Sequence, residues 1–99
     1  MNGWDLSPAA LADLDAALAY LAERSPRAAR RLLAELEACF ERIAAFPDSA
    51  PVTELPGGTV RRAVSGDYFI VYDPAARPVV ILRVLHGRRD VGALLGDGP

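Results

Sequence analysis

The chain has 99 residues, of which 52% are hydrophobic, and its formal net charge at pH 7 is −2. This length fits one small domain with a modest apolar core, and the composition is not that of a disordered chain. All eleven basic residues are arginines. Because affinity for nucleic acid comes mostly from neutralising phosphates, the acidic total argues against generic binding of DNA or RNA.

The charge divides unevenly along the chain. Residues 1–60 hold nine acids and five arginines, whereas residues 61–99 hold four acids and six arginines, so a local basic surface on the C-terminal half is compatible with the acidic total. The one cysteine, Cys39, excludes an internal disulfide. No apolar run approaches the roughly 20 residues that a membrane span needs. With no signal-peptide pattern either, we expect a cytoplasmic protein.

Two helices are predicted in the first half, after a short strand at residues 4–6. Ser7-Pro8 and Ser25-Pro26 each place a serine N-cap before a proline at the first helical position. Leucines spaced three and four residues apart follow each start, as on the buried face of a helix. Phe46-Pro47 ends the second helix, because the residue before a proline disfavours the helical conformation. The short link between the two helices predicts an antiparallel helical hairpin.

The second half is predicted to form a sheet. Residues 47–59 are rich in proline and glycine and predict a loop. Three β-branched and aromatic runs joined by short turns then predict an antiparallel meander, with strands at residues 60–65, 68–72 and 79–85. A helical hairpin packed on one face of this antiparallel sheet gives an α+β fold. We expect a single domain over residues 1–99, with its core at about residues 4–95.

Alternation along a strand determines which side chains share a face. In the last strand, strict alternation places Ile81, Arg83 and Leu85 on one side. An arginine inside an apolar strand must reach solvent or serve a site. Arg61, in the first of the three strands, is placed to share an open sheet face with Arg83.

Residues that could carry chemistry concentrate in the C-terminal half. A single histidine and a single cysteine provide no zinc cluster, and the chain has no phosphate-binding glycine loop and no nucleophile elbow, so no metal or cofactor is expected. The neighbouring carboxylates of Asp13 and Asp15 point to different helix faces and are predicted to be solvated. The remaining candidates for a partner-binding or catalytic site are Arg61, Arg62, Tyr68, Arg83, His86, Arg88 and Arg89.

Three interpretations of this set stay open. Arginines could clamp a phosphate while His86 or a tyrosine moves protons, which would make Arg61, Arg83 and His86 the catalytic residues of a metal-free ribonuclease. The same set could instead bind a protein partner, since arginine and tyrosine are favoured interface anchors. In the third interpretation there is no site, because Arg83 extends along the sheet with its charged end in water and His86 merely ends a strand.

Four stretches of the chain, in this order, resemble the RelE/ParE toxin superfamily, and the similarity is greater to its ParE branch. They are the opening Leu6-Ser7-Pro8-Ala9-Ala10, the helix junction at residues 20–26, the hairpin at residues 60–72 and the closing strand at residues 81–90. The resemblance implies the toxin of a type II toxin–antitoxin system, neutralised in a hetero-oligomer by a cognate ParD-like antitoxin. It also implies that Arg61 and Arg83 occupy sheet positions where the superfamily tends to have arginines.

The two branches imply different activities. RelE-like members cleave mRNA in the ribosome, and ParE-like members inhibit DNA gyrase and are not known as nucleases. RelE-like enzymes add lysines and a C-terminal tyrosine or histidine–tyrosine pair, whereas this chain has no lysine and no tyrosine after Tyr72. In its hairpin, Ala63-Val64 replaces the Phe-Pro that is often found there. We therefore expect a non-enzymatic inhibitor that binds gyrase, with no membrane, cofactor or direct nucleic-acid contact; a ribosome-dependent mRNA endonuclease and a non-toxic interaction module are the alternatives.

Overall fold

The structure, a computed structural model, describes residues 3–88 and residue 90. In chain order its elements are β1 (Trp4–Leu6), α1 (Pro8–Arg24), α2 (Pro26–Ala45), β2 (Val52–Leu55), β3 (Gly58–Ser65), β4 (Tyr68–Asp73) and β5 (Val79–His86). The two helices pack on one face of a five-stranded sheet with the strand order β1-β5-β4-β3-β2. The predicted α+β fold is confirmed, as are the starts of both helices.

Local capping explains where the helices begin. The Oγ atoms of Ser7 and Ser25 accept hydrogen bonds from the N–H groups of Ala10 and Ala28 at 3.0 and 3.1 Å. These bonds satisfy donors that the first helical turn leaves unpaired. Ser25 alone separates α1 from α2, and its N–H donates to the Leu21 carbonyl at 2.7 Å. So tight a link lets the helices pack as the predicted hairpin.

The sheet has two features that the sequence did not predict. β1 pairs in parallel with β5, so the sheet is mixed, while β2 to β5 form the antiparallel meander. β2 lies inside the segment predicted as a loop, so the loop prediction for residues 47–59 was wrong at residues 52–55. The chain reverses direction at Gly57, whose φ of 98° favours glycine. This reversal lets residues 52–55 pair with the start of β3 and form β2.

The main core lies between the helices and the sheet. It is centred on side chains that are fully buried: Leu36, Phe40, Ile70, Tyr72 and Ile81. A smaller apolar cluster of Val60, Val71 and Leu85 lies on the outer face of the sheet. The sheet is therefore apolar on both faces at its centre.

A β-bulge changes which residues of β5 share a face. Tyr72 lies opposite Ile81 but Val71 lies opposite Arg83, so Leu82 is an extra residue in β5. A bulge re-aims the side chains that follow it. Ile81 consequently belongs to the helix-facing core and Leu85 to the outer cluster. The prediction that Ile81, Arg83 and Leu85 share one side was wrong for this reason.

Candidate functional site

Arg83 of β5 is held by Asp13 of α1. The Nε and Nη2 atoms of Arg83 donate to the two carboxylate oxygens of Asp13 at 2.7 and 2.9 Å, which makes a bidentate ion pair. Hydrogen bonding to this carboxylate raises the pKa of Arg83. The Asp13 side chain is only 17% exposed, so the prediction that it is solvated was wrong.

The fold brings this pair together at an edge of the sheet. β1 pairs with β5 only as far as Ile81, so within the described residues β5 has no strand neighbour on that side beyond the bulge. α1 begins beside this edge, where Ser7 Oγ donates to the Leu82 carbonyl at 2.9 Å. Further along α1, Asp13 Oδ2 accepts the N–H of Val84 at 3.0 Å. One carboxylate therefore satisfies an edge donor of the backbone and neutralises Arg83.

A groove of about 800 Å³ lies between the helical hairpin and the end of the sheet at the turn from β3 to β4. Three of the predicted site residues line it, namely Tyr68, Arg83 and His86. The two helices contribute small and apolar side chains to its walls (Ala16, Ala17, Leu21, Ala28 and Leu32) and also the polar side chains of Asp13, Tyr20, Arg31 and Glu35. An open groove whose walls combine apolar side chains with charges of both signs suits a protein segment better than a small charged ligand.

Tyr68 and His86 form the polar end of the groove. They are cross-strand partners, and their rings meet edge to face with centroids 5.3 Å apart. The backbone N–H of His86 donates to Asp90 Oδ2 at 2.8 Å, whereas its Nδ1 is buried and has no hydrogen-bond partner within the described residues. A buried polar atom without a partner is costly, so a polar group that entered here would gain a hydrogen bond.

Arg61 lies outside this groove and anchors the connection between α2 and β2. Its Nη1 donates to the Ala50 carbonyl at 2.6 Å, and its Nε lies 3.7 Å from the carboxylate of Asp48. Its cross-strand neighbour Tyr72 donates to the Pro47 carbonyl at 2.6 Å, and burial raises the pKa of the Tyr72 hydroxyl. The expectation that Arg61 shares an open face with Arg83 was therefore wrong.

The other predicted arginines are also dispersed. Arg62 lies on the outer face, with its guanidinium 4.6 Å from the centroid of the Phe69 ring. Arg88 is exposed in the turn after β5, and Arg89 lies outside the described residues. The groove thus brings together three of the seven predicted residues. The set needed for a ribonuclease, with Arg61 beside Arg83 and His86, is not assembled in it.

A second group of arginines is not among the site residues predicted from the sequence. Arg27, Arg30 and Arg31, which we call the tip arginines, lie near the start of α2 and are exposed. The ion pairs within the described residues involve Arg61 and Arg83 but none of these three. The first turn of α2 contains no acidic residue. The signal available in the sequence was the dense spacing of arginines directly after a helix start.

The buried thiol and the acidic residues supply no further chemistry. Cys39 is buried, as its position between two core residues predicts, and burial raises the pKa of its thiol. A buried neutral thiol is a poor nucleophile. In the described part of the chain there is no group of His, Cys, Asp and Glu side chains suited to a metal ion. Neither of the two described helices is long and apolar enough to cross a membrane.

Comparison with known proteins assigns the chain to a family. The family model described as the ParE toxin of the type II toxin–antitoxin system parDE matches residues 5–91. Individually curated proteins give no significant match. The family match covers both helices, strands β2 to β5 and every residue that lines the groove. The chain therefore belongs to the ParE toxin family, whose members are the toxins of type II toxin–antitoxin systems.

Proposed function

We propose that this protein is a cytoplasmic toxin that inhibits DNA gyrase by binding it, and that a cognate ParD-like antitoxin neutralises it in a hetero-oligomer. The observation that carries the proposal is the family match, which extends over residues 5–91. A groove whose walls combine apolar side chains with charges of both signs also supports binding of a protein partner. In this proposal Tyr68, Arg83 and His86 contribute to a binding surface and catalyse no reaction.

The environment of Arg83 supports binding over phosphodiester cleavage. A phosphate that approached Arg83 would meet the negative charge of Asp13, which already accepts two hydrogen bonds from the guanidinium. Stabilisation of a developing oxyanion requires donors that are free to point at it. Arg61 is bound to the Ala50 carbonyl and lies outside the groove. The net charge of −2 further weakens attraction to RNA.

A ribosome-dependent mRNA endonuclease is the second candidate, because Tyr68 and His86 lie in contact within one groove. A phenol and an imidazole in contact could donate and accept protons during RNA cleavage. The substitution Tyr68→Phe separates the two functions, because it keeps the ring contact and removes the hydroxyl. Tyr20→Phe is the matched control, since Tyr20 lines the same groove from α1. A ribonuclease would lose its cleavage activity in Tyr68→Phe, whereas a gyrase inhibitor should remain toxic in both variants.

The deciding experiment induces this chain alone in a bacterial host and examines plasmid topology and mRNA integrity in the same culture. Growth arrest with gyrase-linked DNA breaks and intact mRNA is the expected result. Co-expression of the antitoxin should restore growth. Arrest with mRNA cut at defined codon positions would instead assign the ribonuclease function. Normal growth would identify a non-toxic interaction module or a toxin whose target is absent from that host.

A further inference from the structure

We propose that the tip arginines, Arg27, Arg30 and Arg31, form the docking surface for an acidic segment of the antitoxin. The inference rests on the proposed neutralisation by an antitoxin, and it adds the place and the chemistry of one contact. Four observations carry it: the unfavourable position of these charges in the free toxin, the absence of ion pairs between them and the described residues, their continuity with the groove and the small size of the surface.

The position of the tip arginines is unfavourable for the folded toxin alone. Ser25 is the N-cap of α2 and Pro26 its first residue, so Arg27 lies in the first turn, where positive charge opposes the helix dipole. Arg27 and Arg31 are four residues apart, a spacing at which like charges on a helix repel each other, and Glu35, four residues further on, offsets only part of the charge of Arg31. Negative charge from a partner would relieve both effects. The arrangement is thus suited to a bound state rather than to the free toxin.

The tip arginines also remain available to a partner. Within the described residues Arg83 is paired with Asp13 and Arg61 with Asp48, whereas the tip arginines form no ion pair. A partner that approached Arg61 or Arg83 would have to displace an internal acceptor first. Arg62, Arg77 and Arg88 form no ion pair among the described residues either, but they do not line the groove, whereas Arg31 does.

The surface is continuous with the groove. Arg31 lines the groove together with Ala28, Leu32 and Glu35 of α2. A partner segment that places apolar side chains between the hairpin and the sheet would bring its neighbouring residues over the start of α2. Apolar anchors in a groove, with acids opposite arginines at its rim, are a common mode of recognition.

The size of the surface favours a protein segment over nucleic acid. At the helical rise of about 1.5 Å per residue, the stretch from Arg27 to Arg31 is only about 6 Å long. Such a stretch accommodates one or two carboxylates, whereas useful affinity for DNA requires several phosphate contacts. The net charge of −2 opposes approach of a nucleic acid as well. An acidic segment of the antitoxin is the occupant that fits these facts.

The test measures the affinity of the purified toxin for the antitoxin encoded with it, in the absence of gyrase. Arg27→Glu and Arg31→Glu are compared with Arg77→Glu, which makes the same charge change at an exposed arginine in the turn before β5. Each substitution on α2 should weaken binding by about tenfold and reduce its dependence on salt. Arg77→Glu should change the affinity by less than about twofold.

Thermal unfolding of the free variants excludes a folding defect. Arg27→Glu places an acid in the first turn of α2, so the free variant should melt at the same temperature as the natural chain or higher. A variant that is at least as stable and yet binds more weakly has lost a contact with its partner. A structural role for Arg27 would lower the melting temperature and the affinity together, and would overturn the inference.

Two other results would also overturn it. Unchanged affinity for the antitoxin in both α2 variants would show that the tip arginines are solvated. If the α2 variants keep their affinity for the antitoxin but no longer trap gyrase, the tip arginines bind the target. If they keep that affinity but lose binding to a short DNA duplex, the tip arginines bind nucleic acid. Failure of the natural chain to inhibit gyrase would refute the proposed target only, because antitoxin binding is measured without gyrase.

Discussion

Replacement of Asp13 by alanine tests whether this side chain links α1 to β5. The carboxylate accepts two hydrogen bonds from Arg83 and one from the N–H of Val84, at distances between 2.7 and 3.0 Å. Alanine preserves the helix, because its helix propensity is the highest of all residues. The change therefore removes the link between α1 and β5 with little effect on α1 itself.

The expected loss can be worked out from the exposure of each partner. Arg83 is 36% exposed, so solvent screens its pair with Asp13, and loss of that pair costs about 1 kcal/mol. The Val84 N–H loses its acceptor at a partly buried edge, which costs a further 1–2 kcal/mol or so. Asp13→Ala should thus lower the free energy of unfolding by about 2–3 kcal/mol, and for a domain of this size the melting temperature by about 10–20 °C.

A double-mutant cycle separates the two contributions. The coupling energy of the cycle gives the contribution of the screened pair, which should be about 1 kcal/mol, and the cost of Asp13→Ala in the Arg83→Ala background gives the contribution of the bond to Val84. Urea unfolding, followed by circular dichroism, gives the free energies of both single variants and of the double variant. If Asp13→Ala costs nothing in the Arg83→Ala background, the bond to Val84 contributes nothing and Asp13 does not stabilise the sheet edge. If Asp13→Ala lowers the free energy of unfolding by less than about 0.5 kcal/mol, the contacts of Asp13 do not stabilise the fold.

Three further predictions concern residues outside the groove. Arg61→Ala should cost about 1–2 kcal/mol and speed proteolysis at residues 47–51, because the bond to the Ala50 carbonyl is lost. Burial raises the pKa of Tyr72 above its ordinary value of 10.0, so the stability that the neutral phenol contributes is complete below pH 10 and declines as the pH rises further. Tyr72→Phe should abolish that decline in urea titrations at high pH. Cys39 should react with iodoacetamide much faster in the unfolded than in the folded protein, since it is buried and its pKa is raised.

The parts of the fold that depend on neighbouring residues were predictable from the sequence. The local pairs Ser7-Pro8 and Ser25-Pro26 specify the two helix starts. Each serine accepts a hydrogen bond from the N–H three residues further on, as expected of an N-cap. β2 was missed because a proline flanks it on each side and indicates a loop, whereas the strand forms through hydrogen bonds to β3. The bulge at Leu82 was missed because it arises from the register between β4 and β5, which alternation alone does not specify.

The site was less predictable than the fold, since its central contact is not local. Asp13 and Arg83 are separated by 70 residues, and nothing near Asp13 in the sequence distinguishes it from Asp15. Tyr68, Arg83 and His86, three of the candidates predicted from the sequence, do line one groove. Arg61 was misplaced because a residue's position on a strand does not reveal which backbone carbonyl its side chain reaches.

The count of charges along the chain did not show which arginines are already paired within the fold. The C-terminal half has the excess of arginine, yet Arg61 and Arg83 are occupied by acceptors within the fold. The acidic N-terminal half carries the tip arginines, which are exposed and form no ion pair among the described residues. A side chain's availability to a partner depends on the contacts it already makes and not on the net charge of its segment. Of the two arginines that line the groove, Arg83 is therefore already paired with Asp13, whereas Arg31 of α2 forms no ion pair with any described residue.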